Sequence, residues 1–192
     1  MKQIYVYVAG KVSKESVFGT HDWRDAFCLA LSRHVHVPVI NVDPTKESET
    51  FLLPETDAQF IFGRDCTLIQ MADVVIVNLT DDISVGGSQE MLIAKYYQKP
   101  LVGIAPLGGK FYKSQKEIGG RVHTDWKHPF VAVPCDAIVE DEREAGEWIA
   151  KWAKGEKQSI KTLSILDESI AYYTSRAEQD AYVQLLKDSY DE

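Results

Sequence analysis

Short runs of consecutive apolar residues alternate along this chain with longer stretches whose apolar positions recur at helical spacing. The run IYVYVAG (4–10) predicts a buried first strand. WRDAFCLALSRH (23–34), with Phe27, Leu29, Ala30 and Leu31, predicts a helix laid against a sheet. HVPVINV (36–42) reads as a second strand, and its Pro38 belongs at a sheet edge, where a missing N–H costs no ladder bond. TDAQFIFGRDCTLIQMA (56–72) predicts a helix that tolerates Gly63. DVVIVNL (73–79) is β-branched and apolar almost throughout, the pattern of a strand covered on both faces. SQEMLIAKYYQ (88–98) then predicts a helix, and KPLVGIA (99–105) a strand. PFVAVPCDAIV (129–139) supplies a further strand region, and EREAGEWIAKWAKG (142–155) a helix closed by Gly155.

This alternation implies an α/β fold, a single-domain doubly wound parallel sheet of about five strands with helices on both faces. Two segments break the pattern. Residues 106–128, PLGGKFYKSQKEIGGRVHTDWKH, form a long connection, either a mobile lid or a plain surface loop. From about residue 160 the chain carries one or two polar helices with Tyr172, Tyr173, Tyr182 and Tyr190. The expected organisation is therefore an α/β domain over 1–155 and a helical tail over 156–192, docked on the domain or on a second subunit.

Composition narrows the function. At 192 residues, 45% of them hydrophobic, the chain can bury one good core and is short for two. A net charge of −8 argues against a nucleic-acid partner, whose phosphates call for a basic patch. No apolar run approaches the roughly 18 to 20 residues of a membrane span, so no membrane partner is expected. MKQIYVYVAG is followed by no small-residue cleavage site and reads as a strand, not a signal peptide. Cys28, Cys66 and Cys135 are odd in number and form no C-x-x-C pair. They suggest neither a disulfide framework nor a zinc site, and point to a reducing, intracellular compartment. His34 and His36 stand two apart without a nearby carboxylate, so no metal site is assigned.

Candidate chemistry gathers in NLTDDISVGGSQEML (78–92), beyond the carboxyl end of the apolar strand, where sheets of this kind bind their ligands. Gly86, Gly87 and Ser88 allow a tight turn with free N–H groups, and Ser88 is a plausible N-cap. Glu90 would then lie in the first helical turn, with its charge retained by the helix dipole. The plainer alternative is a Glu that stabilises a helix and catalyses nothing. Asp81 lies on the same rim, and Asp65 on the preceding helix. Three acids converging there would repel one another unless a ligand with hydroxyl groups or protons separated them. Tyr7 alternates with Tyr5 along the first strand, as a core residue or as a stacking surface for a base.

In order and spacing, IYVYVAG and RDCTLIQMADVVIVNLTDDISVGGSQEMLIAKYYQKPLVGI resemble the opening strand and the core of the nucleoside 2-deoxyribosyltransferases. HPFVAVPCDAIVEDEREAGEWI is a weaker echo of the same family. The resemblance implies a flavodoxin-like fold and, without metal or other cofactor, a double displacement at the anomeric carbon of a 2-deoxynucleoside. Glu90 would be the nucleophile, forming a deoxyribosyl ester that a free base then attacks from the side the first base left. Asp65 and Asp81 would bind sugar hydroxyls or protonate the departing base, while Asp73 would be structural. Tyr7, Gly10, Lys11, Gly87 and Ser88 would line the substrate, the partners being a nucleoside and a free base. The resemblance further implies a homo-oligomer in which a neighbouring chain completes the pocket. Lys11 departs from the Pro that many relatives carry after Ala-Gly. With Ser13, Lys14 and Ser16 it could meet a phosphate, which keeps open hydrolysis of 2-deoxynucleoside 5-monophosphates. A nucleotide sensor that keeps the pocket without turnover is the non-enzymatic alternative.

Overall fold

The computed structural model describes residues 2–11, 23–46, 54 and 56–190. In chain order it begins with β1 (Ile4–Ala9), α1 (Trp23–Val35), β2 (Val39–Val42), α2 (Ala58–Met71) and β3 (Val74–Asn78). There follow α3 (Val85–Tyr96), β4 (Leu101–Ile104), β5 (Tyr112–Ile118), β6 (Arg121–Lys127), α4 (Pro129–Ala132) and β7 (Ala137–Val139). The chain closes with α5 (Glu142–Ala153), α6 (Ser164–Thr174), a single 3-10 turn and α7 (Ala181–Tyr190).

β1, β2, β3, β4 and β7 form one sheet in the order β2-β1-β3-β4-β7, every neighbouring pair parallel. Counted among the sheet strands alone, this is the flavodoxin-like order 2-1-3-4-5. β2 lies at an edge, as Pro38 suggested. Side-chain alternation along β1 sorts its residues between two cores. Ile4, Val6 and Val8 pack with Phe27 and Leu31 of α1 and with Ala145 and Ile149 of α5. Tyr7 and Ala9 face the other way, with Ile69 of α2 and Met91 and Ala94 of α3. All five residues of β3 are buried, because both sheet faces are covered.

Connections leave β1 and β3 toward opposite edges, so a crevice opens between their carboxyl ends, the topological switch point of such sheets. Gly10 ends β1 there at φ +94°, and a Cβ on it would stand 2.8 Å from the Asn78 carbonyl oxygen. Only glycine lets the chain turn that close to the end of β3. Asp73 is structural, as expected: its carboxylate accepts from the Tyr5 N–H at 2.9 Å, and its own N–H donates to the Tyr5 carbonyl at 2.8 Å.

Two expectations need correction. Residues 106–128 are not an irregular loop, since most of them form the antiparallel β5–β6 hairpin. Its turn is Gly119-Gly120, both at positive φ (58° and 76°), the geometry of a tight two-residue hairpin. The strands carry so many charged residues that no apolar alternation marks them. Within PFVAVPCDAIV, only Ala137–Val139 is strand. Pro129 instead begins the short helix α4, its fixed φ and missing N–H suiting a first helical position.

The tail begins with a fastening to the domain. The Lys161 N–H donates to Asp136 at 2.7 Å, and its ammonium donates to the carbonyls of Ala132, Val133 and Cys135 at 3.1, 2.9 and 2.6 Å. Ile165 of α6 is buried, whereas α7 buries none of its side chains. Among the described residues no helix is long and apolar enough to cross a membrane.

Candidate active site

The helix bearing Glu90 starts earlier than its sequence suggests. Ser84, not Ser88, is the N-cap of α3, its hydroxyl accepting from the Gly87 N–H at 3.0 Å. Gly86 and Gly87 therefore lie inside the first turn, at a propensity cost of about 1 kcal/mol each relative to Ala. Packing explains Gly87. A Cβ there would meet the Ser84 hydroxyl at 3.1 Å and the Gly10 Cα at 3.4 Å, so the glycine lets α3 seat against the end of β1. Glu90 consequently falls in the second turn, and no acid occupies the first.

From there Glu90 points at β1. The Tyr7 hydroxyl, fully buried, donates to Glu90 Oε1 at 2.8 Å. Oε1 also lies 3.6 Å from where a side chain on Gly86 would begin. Asp65 of α2, half-buried and one turn before the buried Ile69, acts on the same carboxylate, as does Arg24 of α1. Tyr7 of β1 is thus bonded to Glu90, while Asp65 of α2 and Arg24 of α1 act on its charge.

The electrostatics reverse one expectation. The charge of Glu90 was expected to be favoured by the helix dipole; burial instead raises its pKa above the ordinary carboxylate range. The Tyr7 hydrogen bond and Arg24 pull it back, and Asp65 adds to the rise. The dipole fades beyond the first turn, so desolvation wins. Burial likewise raises Asp65, against the lowering pull of Arg64 and Arg24. Tyr7 is raised strongly, first by burial and then by the Glu90 charge, and so keeps its proton as a donor.

The remaining candidates line the rim. Asp81 and Ser88 are exposed, and the Ser88 hydroxyl donates to the Val85 carbonyl at 2.8 Å. No hydrogen bond or ion pair joins Asp81 to Glu90 or Asp65 among the described residues. Its neighbour Asp82 pairs instead with Lys110, at 2.8 Å. The Lys11 side chain is exposed and its carbonyl accepts from the Asn78 amide at 3.0 Å. Ser13, Lys14 and Ser16 lie outside the described residues. Two surface cavities, of about 720 Å³ beside β2 and 520 Å³ between α3, α4 and α6, do not include Glu90.

Sequence reasoning missed Ser84, Asn78 and Arg24. Arg24 was the most accessible of them, because the first turn of the helix after a first strand must begin near that strand's carboxyl end.

No protein-family model matches the chain, and no curated protein matches it in sequence. Solved structures do match. A conserved protein from Enterococcus faecalis V583 superposes with a TM-score of 0.50 at 15% identity, covering 78% of this chain and 99% of that one. A 2-deoxyribosyltransferase from Bacillus psychrosaccharolyticus gives 0.44 at 18% identity, over 82% and 98% of the two chains. A CMP N-glycosidase from Clostridium botulinum gives 0.41 at 10%, over 76% and 97%. The likeness is one of fold.

Proposed function

We propose that this protein is an enzyme that cleaves the N-glycosidic bond of a 2-deoxynucleoside and passes the sugar to a second base. The observation that carries this reading is the Tyr7–Glu90 hydrogen bond at the switch point, with Asp65 beside it. A half-buried carboxylate in that place, oriented by a phenol, suits attack on an electrophilic sugar carbon. The sequence resemblance assigns Glu90 the same role.

In this reading a Glu90 oxygen bonds to the anomeric carbon as the carbon–nitrogen bond breaks and the departing base takes a proton. Asp65 is the donor in this scheme: burial favours its proton, whereas the Tyr7 hydrogen bond and Arg24 favour the charge of Glu90. The incoming base then displaces Glu90 from the opposite side, its nitrogen passing a proton to the Asp65 carboxylate, and configuration is retained overall. The sugar lacks the electron-withdrawing 2-hydroxyl, so its cationic transition state lies lower, and the Glu90 charge stabilises it further. Asp81, at the exposed rim, is left to the sugar hydroxyls.

Incubation with deoxyinosine and adenine should yield deoxyadenosine, and a 2-fluoro-2-deoxynucleoside should leave a mass-detectable adduct on Glu90. An adduct on another acid displaces Glu90 as the nucleophile. Base release without an acceptor, from a deoxynucleoside monophosphate, makes the protein a hydrolase. Tight nucleoside binding with no turnover makes it a sensor.

Tyr7→Phe tests the orienting role. Losing one hydrogen bond to a charged group, about 1.5–3 kcal/mol, should lower kcat/KM roughly 10- to 100-fold. The bond favours ionised Glu90, so the acid limb of the kcat/KM profile should also move to higher pH. An unmoved limb would mean that Tyr7 only fills the core.

A further inference from the structure

We propose that Arg24 is a positioning residue of this site: its guanidinium, clamped to the end of β1, supplies the positive charge that the Glu90 and Asp65 carboxylates share. The consequence for turnover rests on the reading of Glu90 as nucleophile; the charge balance does not.

Arg24 is the second residue of α1. Its Nε donates to the Val8 carbonyl at 3.0 Å and its Nη2 to the Gly10 carbonyl at 3.1 Å. The guanidinium also lies over the Trp23 ring, 4.7 Å from the ring centre. Two carbonyls and a ring plane thus hold a long side chain in one place, which a planar fork does well and a lysine does not. The clamp falls on the glycine against which α3 is seated, and the next glycine of α3, Gly86, is the one beside Glu90 Oε1. Charge and helix are therefore referenced to the same point of the backbone.

The groups that act on Glu90 are Tyr7 from β1, Asp65 from α2 and Arg24 from α1. Among the described residues Arg24 is the one cation that acts on it. Arg64 also acts on Asp65, but its guanidinium donates to the carbonyls of Pro44 and Lys46 and is not among the groups that act on Glu90. Without Arg24, Glu90 would face a second acid and a phenol in a place already short of water, and like charges there drive protons back on. A nucleophile must be ionised, so the position of this cation bears on reactivity although it touches no reacting atom.

Three variants separate charge from clamp. Arg24→Met keeps the stem, Arg24→Gln keeps donors for a carbonyl, and Arg24→Lys keeps the charge. Carboxyl-labelled glutamate in the intact chain gives a carbon-13 titration in which the Glu90 signal is assigned by its loss in Glu90→Gln. Glu90 should titrate at higher pH in Arg24→Met and Arg24→Gln, and closer to the wild type in Arg24→Lys. A wild-type midpoint in either neutral variant overturns the proposal, and Arg24→Gln decides if Arg24→Met does not fold. The titration needs no turnover, so it stands even if no nucleoside is cleaved. If nucleosides are cleaved, the acid limb of kcat/KM should follow the same order.

Discussion

Glu90→Gln should abolish turnover and, at neutral pH, leave the protein more stable than the wild type. Removing a residue that forms the covalent intermediate typically costs roughly four to six orders of magnitude in kcat. Gln cannot form the ester, yet its amide oxygen can still accept the Tyr7 hydroxyl, so binding of the nucleoside should survive. The stability change follows from the raised pKa of Glu90. Through the window between the ordinary carboxylate value and the raised one, the folded chain holds a proton that the unfolded chain has released. Stability conferred by the neutral form is therefore present below that window and is lost as pH rises through it. Gln at 90 does not titrate, so the advantage of the variant should be absent in acid, grow across the window and level off above it. Thermal melts of both proteins from acid to neutral pH read this directly, alongside the deoxyinosine and adenine assay. A variant that keeps turnover would remove Glu90 from the chemistry. A variant less stable than the wild type at neutral pH would mean that Arg24 and Tyr7 outweigh burial.

Such a trade of stability against reactivity is how a local rule comes to be broken at a site, and it shows which parts of this protein were legible beforehand. The sheet was legible because β3 and β4 are buried on both faces, and β1 at all but Tyr5, and so appear as continuous apolar runs. The hairpin was not. β5 and β6 bury little, and without a buried face no period separates strand from loop. At the site, Glu90 stood out because an acid beyond a strand end is conspicuous, but its electrostatics were read from the wrong helix start. Two consecutive glycines argue locally for a helix that begins after them, whereas the close seating of Gly87 on Gly10 favours starting at Ser84, and the tertiary contact wins. The Tyr7–Glu90 bond joins residues 83 apart in the chain, a separation at which neither periodicity nor spacing carries information.

The largest stability effect lies away from the site, at Asp136. Its carboxylate and the Lys95 ammonium form an ion pair at 2.5 Å with both side chains fully buried. Lys95 also donates to the Lys99 carbonyl at 3.0 Å, while Asp136 accepts the Leu101 and Lys161 N–H groups, each at 2.7 Å. One carboxylate thus ties the end of α3, the start of β4 and the entry to the tail. Asp136→Ala strands a buried ammonium, a loss of about 3–5 kcal/mol. It also leaves two backbone donors without their acceptor, at about 1–3 kcal/mol each where water cannot reach them. Against a total stability of about 5–15 kcal/mol, the variant should melt far below the wild type or fail to accumulate. From the ion pair alone, Tm should fall by roughly 6–20 °C for a chain of this size. Lys95→Met/Asp136→Leu distinguishes the two contributions. Removing both charges relieves the stranded ammonium, but nothing replaces the acceptor for Leu101 and Lys161, so the double variant should recover only part of the loss. Full recovery would assign the whole effect to the unpaired charge. No recovery would make the backbone acceptor the dominant role of Asp136, and the fastening of the tail would then depend on it more than on the buried Ile165.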